Sequence, residues 1–228
     1  MIKAIVNKPW IIITSITLTL LLGYAALGPA MSNVEQPKFQ VISEQGNIQI
    51  REYNPSIVAE VQVQGEREEA ISQGFRLLAD YIFGNNKVEQ DIAMTAPVTQ
   101  QSGQKIAMTA PVTQQSSQKI EMTAPVKQQA LDNAWKVNFT MPSQYSMNTL
   151  PKPNNEKVTL HQVPSKKYVV IKFSGMNSNK NLASHEKELQ EYISENKIQT
   201  VSEPIYAFYN PPWTLAFLRH NEIMIEIK

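Results

Sequence analysis

His161, His185 and His220 are the only histidines in the chain, and it contains no cysteine. The missing cysteines exclude disulfides, thiolate metal centres and a thiol nucleophile. His185 opens "HEKEL", which starts like the H-E-x-x-H of zinc proteases. That motif needs two histidines four apart on one helix face to hold the metal, with the glutamate as base. Leu189 stands where the second histidine belongs, so the motif fails. There is no G-x-S-x-G, and eight glycines in 228 residues supply no phosphate-cradling loop. The net charge of +1, without a basic run interleaved with aromatics, points to no nucleic-acid partner. The sequence thus offers no catalytic constellation and no metal-ligand set, and a non-enzyme is expected. It does offer apolar and aromatic side chains near scattered cations. Ile71, Phe75 and Leu78 follow one another about a turn apart, and Tyr209 and Trp213 flank a double proline. Arg67, Arg76 and Arg219 lie close to these groups in sequence.

The elements that must position these residues show in the hydrophobic pattern. "IQIREYNPSIVAEVQVQG" (48–65) gives two β runs around a turn at Asn54-Pro55. "EREEAISQGFRLLADYIFG" (66–84) repeats its apolar residues with helical spacing, begins acidic and ends in glycine, as a helix should. "WKVNFTMP" places Trp135, Val137 and Phe139 on one face of a strand. The pattern then restarts. "VTLHQVPSKKYVVIKFSG" (158–175) is again two β runs around a proline, and "NLASHEKELQEYISENK" (181–197) is a second helix. "IYAFYNPPW" and "NEIMIEIK" supply the last β signals. The consecutive prolines of "YNPPW" place it in a loop or at a sheet edge, where Tyr209 and Trp213 would form a flat aromatic mouth. Two ββαββ halves follow, with hairpin-linked, mainly antiparallel strands joined into one curved sheet or barrel and a helix on each half.

The first thirty residues differ in kind. After Lys3 and Lys8, no charge appears until Glu35, and residues 10–30 are long and apolar enough to cross a bilayer. Lysines before the run and none just after it predict a cytoplasmic N-terminus and an exported remainder. A signal peptide cut near Gly28–Ala30 is the alternative, which would leave the domain secreted, but the run is long for one. The expected organisation is an anchor or signal over 1–31, a linker over 32–38 and one domain over 39–228.

"IAMTAPVTQQ" starts at Ile92 and again at Ile106, and "IEMTAPVKQQ" starts at Ile120, fourteen residues apart each time. Ile and Met two apart share one face of a strand, with the proline ending or edging it. The copy nearest Trp135 is expected to lead into the next strand, and the middle copy to be an excursion at the edge.

"REYNPSIVAEV", a helix ending in "YIFGNN", "IAMTAPV", "WKVNFTMP", "YNPPW" and "RHNEI" occur in this order. In this combination the chain resembles the SOUL haem-binding family from about Phe39 to Lys228. The resemblance implies an α+β fold: a distorted, mainly antiparallel β-barrel of two repeated halves with two helices outside, here following an N-terminal transmembrane helix. It also implies non-covalent binding of haem or another flat tetrapyrrole in a shallow apolar pocket, with basic side chains of the first helix facing the propionates. Ile71, Phe75 and Leu78 are the expected wall, Arg67 and Arg76 of the helix and Arg219 the candidate cations, and Tyr209 and Trp213 the mouth. No histidine matches an axial-ligand position. The expected function is a carrier, buffer or sensor of tetrapyrrole at the cell envelope. An envelope interaction module with a vestigial pocket is the second reading, and a tetrapyrrole-acting enzyme the third.

Overall fold

The computed structural model of the protein describes residues 34–88 and 117–228. Its elements run β1 (Phe39–Gln45), β2 (Ile48–Tyr53), β3 (Ser56–Val63), α1 (Arg67–Ile82), β4 (Asn86–Lys87), β5 (Val126–Leu131), β6 (Ala134–Thr140), β7 (Lys152–Pro153) and β8 (Thr159–Val163). They continue as β9 (Lys166–Phe173), α2 (Asn179–Glu195), β10 (Ile205–Phe208), a 3-10 turn (Ala216–Leu218) and β11 (Asn221–Ile227). Nine strands form one antiparallel sheet in the order β1-β2-β9-β11-β10-β5-β6-β3-β8, while β4 and β7 pair apart from it.

The duplication is visible in that order. From the outside inward, β2-β9-β11-β10 matches β8-β3-β6-β5 when β2 is equated with β8, β9 with β3, β11 with β6 and β10 with β5. The pseudo-two-fold passes between β10 and β5, which pair through Ala207 and Lys127.

The proline turns do not join paired strands, contrary to the expected hairpins. β2 pairs with β9 and β3 with β8, so each half lends its first strand to the other. The reason is local. The favoured two-residue hairpin turns take positive φ at the first central residue or at both. Pro164, first in its turn, holds φ near about −65°, and Pro55 biases Asn54 before it toward extended backbone. Asn54-Pro55 and Pro164-Ser165 therefore make corners. Hairpins instead join β1 to β2 through Gly46, whose φ is +62°, and β5 to β6 through Asp132-Asn133.

These corners curl the sheet. β2 and β3 lie second from opposite ends of the order, yet only two residues connect them. The ends must approach, and Ser165 Oγ donates to the Tyr53 carbonyl at 2.9 Å where the two corners meet. The edge strands β1 and β8 do not pair, so the sheet is an open half-barrel and not the expected closed barrel.

Both helices pack on the same face of the sheet. α1 buries Ala70, Leu78, Tyr81 and Ile82 against Val61, Val137 and Phe139. α2 buries Leu182, Leu189 and Ile193 against Val169, Ile171, Ile223 and Ile225. A third cluster, on the helix-free face, comprises Tyr53, Tyr168, Val170, Ala207, Tyr209 and Met224, with Ala124 and the partly buried Val34 packed against it.

Gly74 lets α1 approach the sheet, since a Cβ there would stand 2.7 Å from Val137 Cβ and Cγ2. Alanine favours an exposed helix position over glycine by about 1 kcal/mol, but overpacking costs about 1–3 kcal/mol. Gly74→Ala is therefore expected to lower the melting temperature, and Val137→Ala in the same chain to restore part of the loss. A rise in melting temperature from Gly74→Ala alone would contradict this contact.

The third repeat copy leads into a strand, β5, as expected, but its Ile and Met do not lie on that strand. Ile120 is fully buried and Met122 partly so, both against the α1 core. They lie before β5, in a segment tied to the rest by the bridge Glu35–Thr123 and by Ile120 N donating to the Ile82 carbonyl at 2.8 Å, and Pro125 precedes the strand instead of ending it. The first copy and nearly all of the middle one lie outside the described residues, as does the apolar segment 10–30. Among the described residues no helix is long and apolar enough to cross a membrane.

Candidate ligand-binding site

α1 lies over β6 and β3, and α2 over β9 and β11, so β5 and β10 run between the helices, where Tyr206 of β10 donates to Glu186 of α2 at 2.8 Å. On α1, Gln73 and Leu77 face β3 and β8, where they line a recess of about 540 Å³ with Gln62, Val63 and Thr159. Ile71 and Phe75, two residues earlier in each case, lie on the opposite flank at 3.6 residues per turn. That flank faces β5 and β10. The Phe75 ring is about a third exposed and packs edge-on against Phe139 at 5.5 Å, and Phe139 pairs with Val126 of β5. Half-buried Val126, Tyr206 and Phe208 lie on these two strands. The result is a shallow trough between the helices, with Ile71 and Phe75 as one wall.

Arg67 stands at the head of that wall. Its Nε donates to Asn179 Oδ1 at 2.7 Å and its Nη2 to the Asn177 carbonyl at 2.7 Å, tying α1 to the other half. Its nearest carboxylate is the exposed Glu68, 3.4 Å away. Nη1 is buried without a hydrogen-bond partner among the described residues, and so is Oε1 of Gln128. Gln128 Nε2 donates to the Arg67 carbonyl at 2.9 Å, which places both orphaned atoms in one neighbourhood. Burial lowers the Arg67 pKa, with the Glu68 charge opposing, yet a guanidinium stays charged at any ordinary pH. A buried cation with a free donor suits a carboxylate.

The other expected residues divide. Leu78 is fully buried beneath α1, and no ligand on the outer flank reaches it. Arg76 is exposed on the outside of the helix. Tyr209 is not at a mouth. It is buried, its ring stacks on His220 at 4.1 Å, and its hydroxyl donates to Glu222 Oε2 at 2.7 Å. Arg219 binds its own loop, donating from Nε to the Thr214 carbonyl at 2.8 Å and from Nη2 to the Pro212 carbonyl. Trp213 is half exposed on that loop. The trough thus gathers Ile71 and Phe75 but not Leu78, Tyr209 or Arg219.

The helix-free face holds a feature that the sequence concealed. Arg51 and Glu222, both almost wholly buried, form a bidentate pair at 3.1 and 2.9 Å. Arg51 also donates to Gln49 and Tyr53, and Glu222 is reached by Tyr209 and by His220 Nε2 at 2.9 Å. Burial pushes the Glu222 carboxyl upward, but hydrogen bonds from His220, Arg51 and Tyr209 and the Arg51 charge outweigh it and hold it at about 2. Nearby, burial pushes the Lys127 ammonium down to about 8, against the pull of Glu222. Gln49, Arg51 and Tyr53 alternate with Ile48 and Ile50, the pattern of a solvated strand face. Nothing in that alternation shows that the second face is covered too.

A cavity of about 740 Å³ lies at the two proline corners, lined by Glu35, Pro55, Thr140, Tyr145 and Pro164 among others. None of the seven residues expected to bind ligand lines it or the smaller recess. His161 stands 3.8 Å from Glu60, and His185 stacks on Phe173 at 4.2 Å with Nδ1 at the Asn181 carbonyl. Among the described residues no three His, Asp or Glu side chains are grouped to hold a metal ion.

A duplicated, curled α+β sheet with both helices on one face is a shared framework. The crystal structure of the EcmrR C-terminal domain has it, with a TM-score of 0.54, 9% identity, and coverage of 83% of this chain and 98% of that one. So does a hydrolase from Listeria innocua, with a TM-score of 0.50, 10% identity, and coverage of 82% and 94%. At such identities the likeness is one of fold alone. No curated protein matches the chain. The family model for SOUL heme-binding protein matches residues 34–226, and the chain belongs to that family.

Proposed function

We propose that the protein binds haem or a similar flat tetrapyrrole in the trough between α1 and α2, as a carrier, buffer or sensor without chemistry of its own. The observation that carries this reading is the pairing of a partly exposed apolar wall, half-buried Ile71 and exposed Phe75, with a buried guanidinium whose Nη1 has no partner among the described residues. The apolar wall takes a macrocycle face, and Arg67 a propionate. Family membership supports the ligand class. Residues 10–30 anchor the domain at the envelope, facing outward, and the uncharged run and its upstream lysines support that placement.

The full chain titrated with haemin should show a Soret shift that saturates at one equivalent, with micromolar or tighter affinity. Replacing His161 or His185 should leave most of it. Unsaturable binding would favour an envelope interaction module, a reading supported by the internal use of Tyr209 and Arg219.

A further inference from the structure

The loop between β10 and β11 presents apolar side chains that no part of the described fold covers. Phe217 is 71% exposed, Met176 52%, Trp213 51%, Leu218 41% and Leu215 40%. The loop is built to hold them there. Arg219 clamps the Thr214 and Pro212 carbonyls, Leu218 N donates to the Leu215 carbonyl, and Gly175 N donates to the Ala216 carbonyl, bringing Met176 alongside. No acidic residue occurs between Glu203 and Glu222, and the only formal charge there is Arg219.

We propose that this loop inserts into the surface of a lipid bilayer as the domain's second membrane contact. The inference rests on the anchored reading of residues 10–30. If the span ends at Ala30, four residue steps reach Val34, a chain distance of at most about 14 Å. Val34 packs in the cluster that contains Tyr209, the first residue of the loop. The anchor therefore holds this rim of the sheet against the headgroups. An acid-free loop with Trp, Phe and Leu at its tip and an arginine behind them suits the headgroup–acyl boundary, where such side chains bury about 5–10 Å deep.

The test uses the full chain with Trp10 and Trp135 changed to Phe, so that Trp213 alone reports. It is mixed with vesicles of phosphatidylcholine and phosphatidylglycerol, with plain or brominated acyl chains. Docking predicts that bromination quenches Trp213 emission by roughly half, a depth effect expected at the interface. It also predicts that iodide quenches little, and that Phe217→Ser reverses both readings while the chain still floats with the vesicles. A chain that floats while Trp213 stays open to iodide and blind to bromine overturns docking and leaves the anchor standing. Quenching at high lipid by a chain that does not float keeps docking and removes the anchor. A chain that neither floats nor is quenched overturns both. Iodide shielding that appears without lipid and grows with protein concentration assigns the patch to a second copy of the chain and overturns the proposal.

Discussion

Glu222→Gln is expected to destabilise the fold by about 3–5 kcal/mol, the usual effect of removing one partner from a buried ion pair. The carboxylate is almost wholly buried and takes four hydrogen bonds, two of them from Arg51. Its loss leaves the Arg51 guanidinium, itself only 2% exposed, without an anion. Arg51→Met should cost a similar amount. The double change Arg51→Met with Glu222→Leu should recover most of the stability, because an apolar pair of similar volume avoids the desolvation of both charges. Chemical denaturation of the four chains checks this. Equal loss in single and double variants would show that packing, not charge, dominates at this point.

The same pair sets an acid limit. The Glu222 carboxyl is held at about 2 in the fold, below its ordinary 4.5. A depressed carboxyl contributes stability that is complete above the unfolded value and is lost as pH falls through the folded one. Wild type should therefore lose stability between about pH 4.5 and 2 in excess of Glu222→Gln, in which this group no longer titrates. Parallel curves for the two chains over that window would contradict the linkage.

Leu78→Ala and Phe75→Ala separate core from site. Both residues lie on α1 three apart, and sequence spacing alone put both in the wall. Leu78 is fully buried, so its truncation should cost about 3 kcal/mol of stability. Haemin affinity, measured where the variant remains folded, should hardly change. Phe75 keeps about a third of its surface in the trough. Its truncation should lower melting temperature less and weaken haemin binding by about 1–3 kcal/mol for the lost apolar contact. If Leu78→Ala weakens binding as much as Phe75→Ala, the ligand sits under α1 and not beside it.

The contrast shows what the sequence conveys. Periodicity located α1, α2 and most strands of the large sheet, because each buries one apolar face and alternates with polar residues. The duplication was also legible, since both halves repeat a proline corner, a β run and a helix. Partners across the sheet were not legible. Period 2 names a strand's faces but not its neighbour, and the exchange of β2 and β8 between halves goes with proline corners that disfavour the positive φ of tight hairpin turns. β1 was missed although Gly46 and Asn47 mark its turn, because the whole of "FQVISEQ" is exposed and alternates weakly. At the site, helical spacing grouped Ile71, Phe75 and Leu78, but only packing tells which of the three looks outward. The polar members failed for a related reason. Arg51 in a strand and Tyr209 before two prolines look solvated in sequence, and only the folded sheet shows them closing on Glu222.

The most direct test of the trough is the difference in affinity between haemin and its dimethyl ester. The ester keeps the flat apolar ring and removes both propionate charges. If Arg67 meets a propionate, wild type should prefer haemin by about tenfold or more, the usual worth of a charge-assisted hydrogen bond. Arg67→Gln should bind both forms alike, at about the affinity wild type shows for the ester. Equal binding of acid and ester by wild type, or a preference that survives Arg67→Gln, would contradict the placement of the ligand between α1 and α2.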